Sequence, residues 1–179
     1  MKLEMAKMVA EMVKSKLAPY CEKIEIAGSI RRQKPEVGDI EIVCIPKTVK
    51  EVKKDLFGGI SEVEEKRDPG FLATVNEWEA IKGKAEGKYT QRLLKGRTGA
   101  TIKLDLFTAN HRNWGYILAI RTGSANFSKE VLAKGWVSKG YKGLDGYLMG
   151  TDGRPVSVPD EETLFRLIGK SYVLPKDRI

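Results

Sequence analysis

A chain of 179 residues with 31% charged and 41% hydrophobic residues has enough apolar sequence to bury a core, which excludes a disordered chain. Thirty-two Lys and Arg against 24 Asp and Glu leave a net charge of +8, which predicts attraction to polyanions without naming one. Cys21 and Cys44 lack Cys-x-x-Cys or Cys/His metal spacing, no apolar run approaches the ~18 residues of a membrane span, and the first residues lack signal-peptide shape. The expectation is a cytoplasmic monomer with buried thiols and no membrane partner.

Leu3, Ala6, Val9, Val13 and Leu17 recur at helical spacing, predicting an amphipathic helix over residues 2–18 that Pro19 closes. Ile24 and Ile26 alternate with charges as a short strand entering Ala27-Gly28-Ser29, where Ser29 is a plausible cap for a following helix or turn. Gly38 precedes a second strand over 39–45, with Ile40, Ile42 and Cys44 on one face and Asp39, Glu41 and Val43 on the other. Residues 48–57 read as a short helix ending at Gly58-Gly59. Residues 60–88 read as a helix or excursion with no definite shape. Strands are expected over 89–94 and 101–107 around a Gly-containing turn, 95–99. Helices follow at 113–121 and 124–137, then a Gly-rich hairpin at 140–158 and a helix at 160–168 capped by Asp160.

Carboxylates two residues apart on a strand point to one side, about 6 to 7 Å apart. That suits magnesium, a hard ion that takes carboxylate oxygens together with substrate phosphates. Asp105, flanked by Leu104 and Leu106, is the candidate third acid for a two-metal clamp. Alternation alone favours the plainer reading in which all three acids simply face solvent. Upstream, Gly28 and Ser29 at a strand-to-helix turn, followed by Arg31 and Arg32, add phosphate-type donors.

The run GSIRRQKPEVGDIEIV resembles the nucleotidyltransferase signature of the DNA polymerase X family. KLDLF resembles that family's third-carboxylate strand, NWGYILAIRTGSANFSK its Thr-Gly-Ser helix junction, and LFRLIGKSYVLPKDRI its thumb terminus. The resemblance implies an α+β fold: a nucleotidyltransferase palm, a mixed sheet with flanking helices, over residues 1–111, and a small, mostly helical thumb over 112–179. It implies that Asp39, Glu41 and Asp105 are catalytic and hold two Mg2+ ions, with Mn2+ as an alternative. Gly28, Ser29, Arg32 and Gly38 would hold the triphosphate of a dNTP, Thr122, Gly123 and Ser124 would form the turn beneath its sugar, and Ser128 and Lys129 would lie near its base. The implied activity is short-gap filling in DNA repair by a minimal template-directed DNA polymerase, in a reduced palm-and-thumb form without the family's N-terminal lyase and DNA-binding modules.

The sequence departs from the family at Glu41, where Asp is usual, at Ile120 and Arg121, where an aromatic pair precedes Thr-Gly-Ser, at Ser128, which replaces Asn, and at Lys103, which replaces Arg. Sugar discrimination and fidelity are therefore open. Residues 121–142 hold five basic residues and one acid, and 82–103 hold seven and one. Either is a solvated face or a phosphate track, and Lys134, Lys139 and Lys142 are the candidate DNA contacts of the first. Lone His111 reads as a surface or hinge residue. Two other functions share this core pattern: a nucleotidyltransferase acting on an RNA end or a small molecule, and a catalytically weak protein that binds DNA gaps or ends.

Overall fold

The computed structural model of the chain describes residues 1–54, 60–96 and 99–179. Helix α1 (Leu3–Leu17) buries Ala6, Ala10, Val13 and Leu17 along one stripe and ends where a 3-10 turn, Ala18–Tyr20, places Pro19 outside the α-helical ladder. Strand β1 (Cys21–Ile26) follows, then a single helical turn, α2 (Gly28–Arg31), and strand β2 (Asp39–Pro46). The loop before β2 is held from the N-terminus: the Met1 amine donates to the Val37 carbonyl at 2.8 Å, and Val37 N–H donates back to Met1 at the same distance.

Residues 48–54 form strand β3 (Thr48–Lys54), paired antiparallel with β4 (Ile60–Arg67), rather than the predicted helix. In the register Val49 faces Lys66, Lys50 faces Glu65 and Val52 faces Val63, so cross-strand partners decided a segment whose composition is compatible with either state. The expected helix end at 55–59 lies outside the described residues. Helix α3 (Pro69–Asn76) is capped by Asp68, whose carboxylate accepts from Gly70 N–H at 2.7 Å, and β5 (Glu79–Lys82) follows. Strands β6 (Tyr89–Lys95) and β7 (Thr101–Thr108) pair as expected, and residues 97–98 of their connection lie outside the described residues.

These strands form a mixed five-stranded sheet in the order β1-β2-β7-β6-β5, with β2 and β7 parallel and the other pairs antiparallel. One face carries Ile40, Ile42, Leu104 and Leu106, fully buried in one core with α1 and α3. The alternate residues point to the opposite face, because the side-chain period of a strand is two.

The C-terminal residues build α4 (Trp114–Thr122), the short α5 (Ala125–Phe127), a π-helical stretch (Ser128–Ala133), α6 (Lys134–Ser138), a small sheet of β8 (Lys142–Leu144), β9 (Tyr147–Met149) and β10 (Pro155–Val156), and α7 (Glu161–Leu167). Asp160 caps α7 as expected, accepting from Thr163 N–H at 2.7 Å. Gly115 lets α4 meet the chain entering α7, since a Cβ there would overlap the Asp160 backbone. A second core joins Tyr116, Phe127, Leu132, Trp136, Leu164 and Phe165. A third cluster, Ala27, Val43, Ile45, Phe107, Trp114 and Leu118, packs α4 onto the sheet. Trp136 is thus a core residue.

Candidate active site

Three acids meet on the sheet face opposite α1. Asp39 and Glu41 lie on β2, and the parallel pairing sets Glu41 directly across from Asp105 and Asp39 across from Lys103. Burial, then the Asp105 charge, raises the Asp39 pKa, while Lys103 and Arg32 pull it down. Glu41 is pushed up to about 7, first by burial and then by Asp39 and Asp105, with Arg32 and Arg121 opposing. Such mutual repulsion marks a charge excess that a hard divalent cation would relieve, and oxygen donors are the chemistry such an ion takes. As the side chains stand, no three His, Cys, Asp or Glu residues among the described residues are grouped closely enough to share one ion. The donor set, three carboxylates on one sheet face, is of the kind a divalent metal takes.

Glu41 and Asp105 are each oriented by a neighbour. The Glu41 carboxylate reaches the glycine turn: Gly28 sits at φ +60°, and a Cβ there would overlap that carboxylate. Only glycine fits, both for its backbone angle and for the room it leaves. On the other side, Tyr89 Oη and Gln91 Nε2 on β6 donate to one oxygen of Asp105, Oδ1, at 2.8 and 2.7 Å. Burial, followed by this hydrogen bond, pushes the Tyr89 phenol up to about 12, so it remains a proton donor at neutral pH.

The glycine turn is anchored by Ala27 N–H donating to the Glu41 carbonyl at 2.8 Å. Ala27, not Ser29, stands at the N-cap of α2, which leaves the Ser29 hydroxyl inside the turn, buried and without a partner. Arg32 donates to the Thr122 carbonyl through one terminal nitrogen, and its Nε is buried and unpartnered. Burial lowers the Arg32 pKa against the pull of Glu41 and Asp39. A buried hydroxyl and a buried guanidinium N–H without acceptors are donors in search of an anion. Arg32 lines a cavity of about 370 Å³ together with Glu41, Ile120, Arg121, Gly123 and Ser128, within the range of small-ligand pockets.

The remaining sequence candidates divide. Gly38 is exposed and a Cβ there would meet nothing within 4 Å, so no close approach in the structure requires a glycine. Gly123, at φ +69°, terminates α4 against Arg32. Ser124 caps α5, accepting from Phe127 N–H at 3.1 Å, and Thr122 Oγ1 accepts from Arg31 at 2.6 Å. Ser128 donates to the Ile120 carbonyl at 3.1 Å, a local bond that occupies its proton while its side chain still borders the cavity. Lys129 is exposed beside Glu130, Lys134 is paired with Glu130, and Lys139 and Lys142 are exposed. His111 lies at the surface, 2.6 Å from Glu22.

Sequence reasoning missed three features. Arg31, beside the phosphate-type donors, is committed elsewhere: it grips Glu161 of α7 with two bonds of 2.9 and 2.7 Å, and the fully buried Arg178 meets the same carboxylate at 2.7 Å. Arg121 stacks 4.0 Å over the Phe107 ring and holds positive charge near Glu41. Tyr89 and Gln91 were expected only as strand residues. Their role follows from the register Gln91 opposite Asp105, which no local pattern in the chain announces.

The chain thus combines a mixed sheet, whose parallel pair carries the acids, with a glycine-led turn and a mostly helical C-terminal part, and this fold is shared with a solved polymerase beta. Among solved structures, the chain is similar over 100% of its own length to polymerase beta of Leishmania infantum, crystallised as a ternary P/T complex. The match covers 76% of that chain with a TM-score of 0.73 and 15% sequence identity. No protein-family model and no curated protein matches the sequence.

Proposed function

We propose that the protein is a template-directed DNA polymerase that transfers a nucleotide from a dNTP to a primer 3′-hydroxyl, acting on short gaps. The single observation that carries this reading is the sheet face shared by Asp39, Glu41 and Asp105, with Glu41 and Arg32 together lining one cavity. The fold shared with polymerase beta and the net charge of +8 support it.

In this reading the backbone at Gly28, the Ser29 hydroxyl and Arg32 take the triphosphate oxygens, and the Thr122–Ser124 turn supports the sugar. Asp39, Glu41 and Asp105 would hold two Mg2+ ions, which supply charge neutralisation at the transferred phosphoryl group and acidify the attacking hydroxyl. Arg121, in the cavity wall, adds positive charge beside Glu41. Ser128 and Lys129 face the base side, and Lys134, Lys139 and Lys142 contribute phosphate contacts on the 112–179 half, the thumb, against the palm of 1–111.

The test is extension of a labelled primer on gapped DNA with Mg2+ or Mn2+ and each dNTP singly. Incorporation of the templated nucleotide alone is expected. No incorporation with either ion overturns the polymerase reading and favours another hydroxyl acceptor or a DNA-binding role.

The raised Glu41 pKa gives a prediction independent of DNA. Between its ordinary 4.5 and about 7, the folded metal-free protein binds a proton that the unfolded chain has released. Stability contributed by this group is therefore full below 4.5 and lost as pH rises through about 7. Mg2+ or Mn2+, which needs the carboxylates ionised, should raise the melting temperature at pH 8 and leave it unchanged at pH 5. Equal shifts at both values would contradict binding at these acids.

A further inference from the structure

Asp105 stands between two unlike neighbours: the acid Glu41 across β2 and the neutral Gln91 across β6. Gln91 Nε2 and Tyr89 Oη both donate to Oδ1, at 2.7 and 2.8 Å. A carboxylate oxygen has two lone pairs, so two donors saturate it. Among the described residues no donor is recorded on Oδ2. The Tyr89 ring is itself locked, stacked on Phe107 with centroids 4.9 Å apart, and Phe107 lies under Arg121 at 4.0 Å. The clamp is therefore built on packed strand residues rather than on free side chains.

We propose that Tyr89 and Gln91 are positioning residues that occupy Oδ1 and leave Asp105 to act through Oδ2 alone, as a monodentate ligand and acceptor. This rests on the reading of Asp39, Glu41 and Asp105 as the metal-binding acids. Two donors on one oxygen fix the rotation of the carboxylate about Cβ–Cγ and prevent it from closing both oxygens on one ion. Ligand carboxylates held in this way depend on their outer partners for affinity, commonly by about 10–100-fold.

The test is Mn2+ titration followed by EPR of the free ion, on the wild type, Asp105→Asn, and the double variant Tyr89→Phe/Gln91→Met. The replacements keep ring stacking and side-chain length, and thermal melting of each single variant checks the fold. The double variant is expected to bind Mn2+ about tenfold more weakly or worse, with kcat for incorporation reduced and KM for dNTP unchanged. Loss of stability alone would not produce that split.

Weakened binding in Asp105→Asn but wild-type affinity in the double variant overturns the clamp and leaves the metal-site reading intact. Tighter binding in the double variant also overturns it, since the two donors would then be restraining Asp105 from the ion. Unaltered binding in Asp105→Asn overturns the metal-site reading itself, and the clamp with it.

Discussion

If the proposed polymerase reading holds, Asp39→Ala and Asp105→Ala are each expected to abolish nucleotide incorporation while the protein remains folded. Each acid belongs to a face whose charge is matched to a cation, so its removal forfeits about 4 kcal/mol of charge stabilisation, or about 10³-fold in rate. The same substitutions relieve repulsion in the metal-free protein. Asp39 has its pKa raised by burial and by Asp105, and so its ionised form disfavours the folded state at neutral pH. Asp39→Ala should therefore melt at or above the wild-type temperature without metal and lose the gain that Mg2+ gives the wild type. Primer extension with calorimetry in the presence and absence of metal checks both. Retained incorporation in both variants would remove these residues from the chemistry, and melting far below the wild type would make them structural.

Glu161→Ala has the largest expected effect on stability. Its carboxylate, almost wholly buried, is shared by Arg31 and by Arg178, whose side chain is fully buried. Tyr172 adds a bond at 3.2 Å, and Arg178 lies 5.3 to 5.8 Å from the rings of Phe165, Tyr172 and Phe127. Removing the anion leaves two guanidinium groups facing each other in low dielectric, at a cost of about 3–5 kcal/mol. For a chain of this length that corresponds to about 10 °C in melting temperature.

The pH dependence of this network runs opposite to that of Glu41. Burial alone would raise the Glu161 pKa, but the bonds and charges of Arg31 and Arg178 outweigh it and hold the carboxyl below its ordinary 4.5. Its contribution is present above that value and lost as pH falls through the depressed folded pKa. Urea unfolding of the wild type and Glu161→Ala should therefore differ strongly at pH 6 and converge under more acid conditions. A constant difference would place the effect in packing rather than charge. Because Arg31 also bonds Thr122 Oγ1 and its neighbour Arg32 bonds the Thr122 carbonyl, the variant should also weaken dNTP binding.

Much of this architecture was legible in the chain. The apolar period of 3.6 located α1, the period of two located β2 and β7 and assigned Asp39, Glu41 and Asp105 to the face opposite Ile40, Ile42 and Leu104, and Asp160 marked the start of α7. These are local properties, set by the geometry of a helix or strand and by which residues water rejects. Residues 48–54 were misread because their two apolar residues, Val49 and Val52, lie three apart among charges, a spacing that does not announce a strand. Their strand state is decided by pairing with β4, which lies beyond any local window.

No local pattern separates Arg31 from Arg32; the resemblance singled out Arg32 for the triphosphate and left the partner of Arg31 unread. Adjacent residues of one type point to different partners once α2 is placed between the sheet and α7, so one becomes a buried ion-pair member and the other keeps a free donor at the cavity. Gln91 and Tyr89 likewise acquired their contact with Asp105 from strand register. Local patterning specified which residue types face water, which face the core, and that three acids share a side. Only the tertiary structure decided which donors those acids meet, because hydrogen bonds and ion pairs act over a few ångströms between residues that the chain separates by 14 to 130 positions.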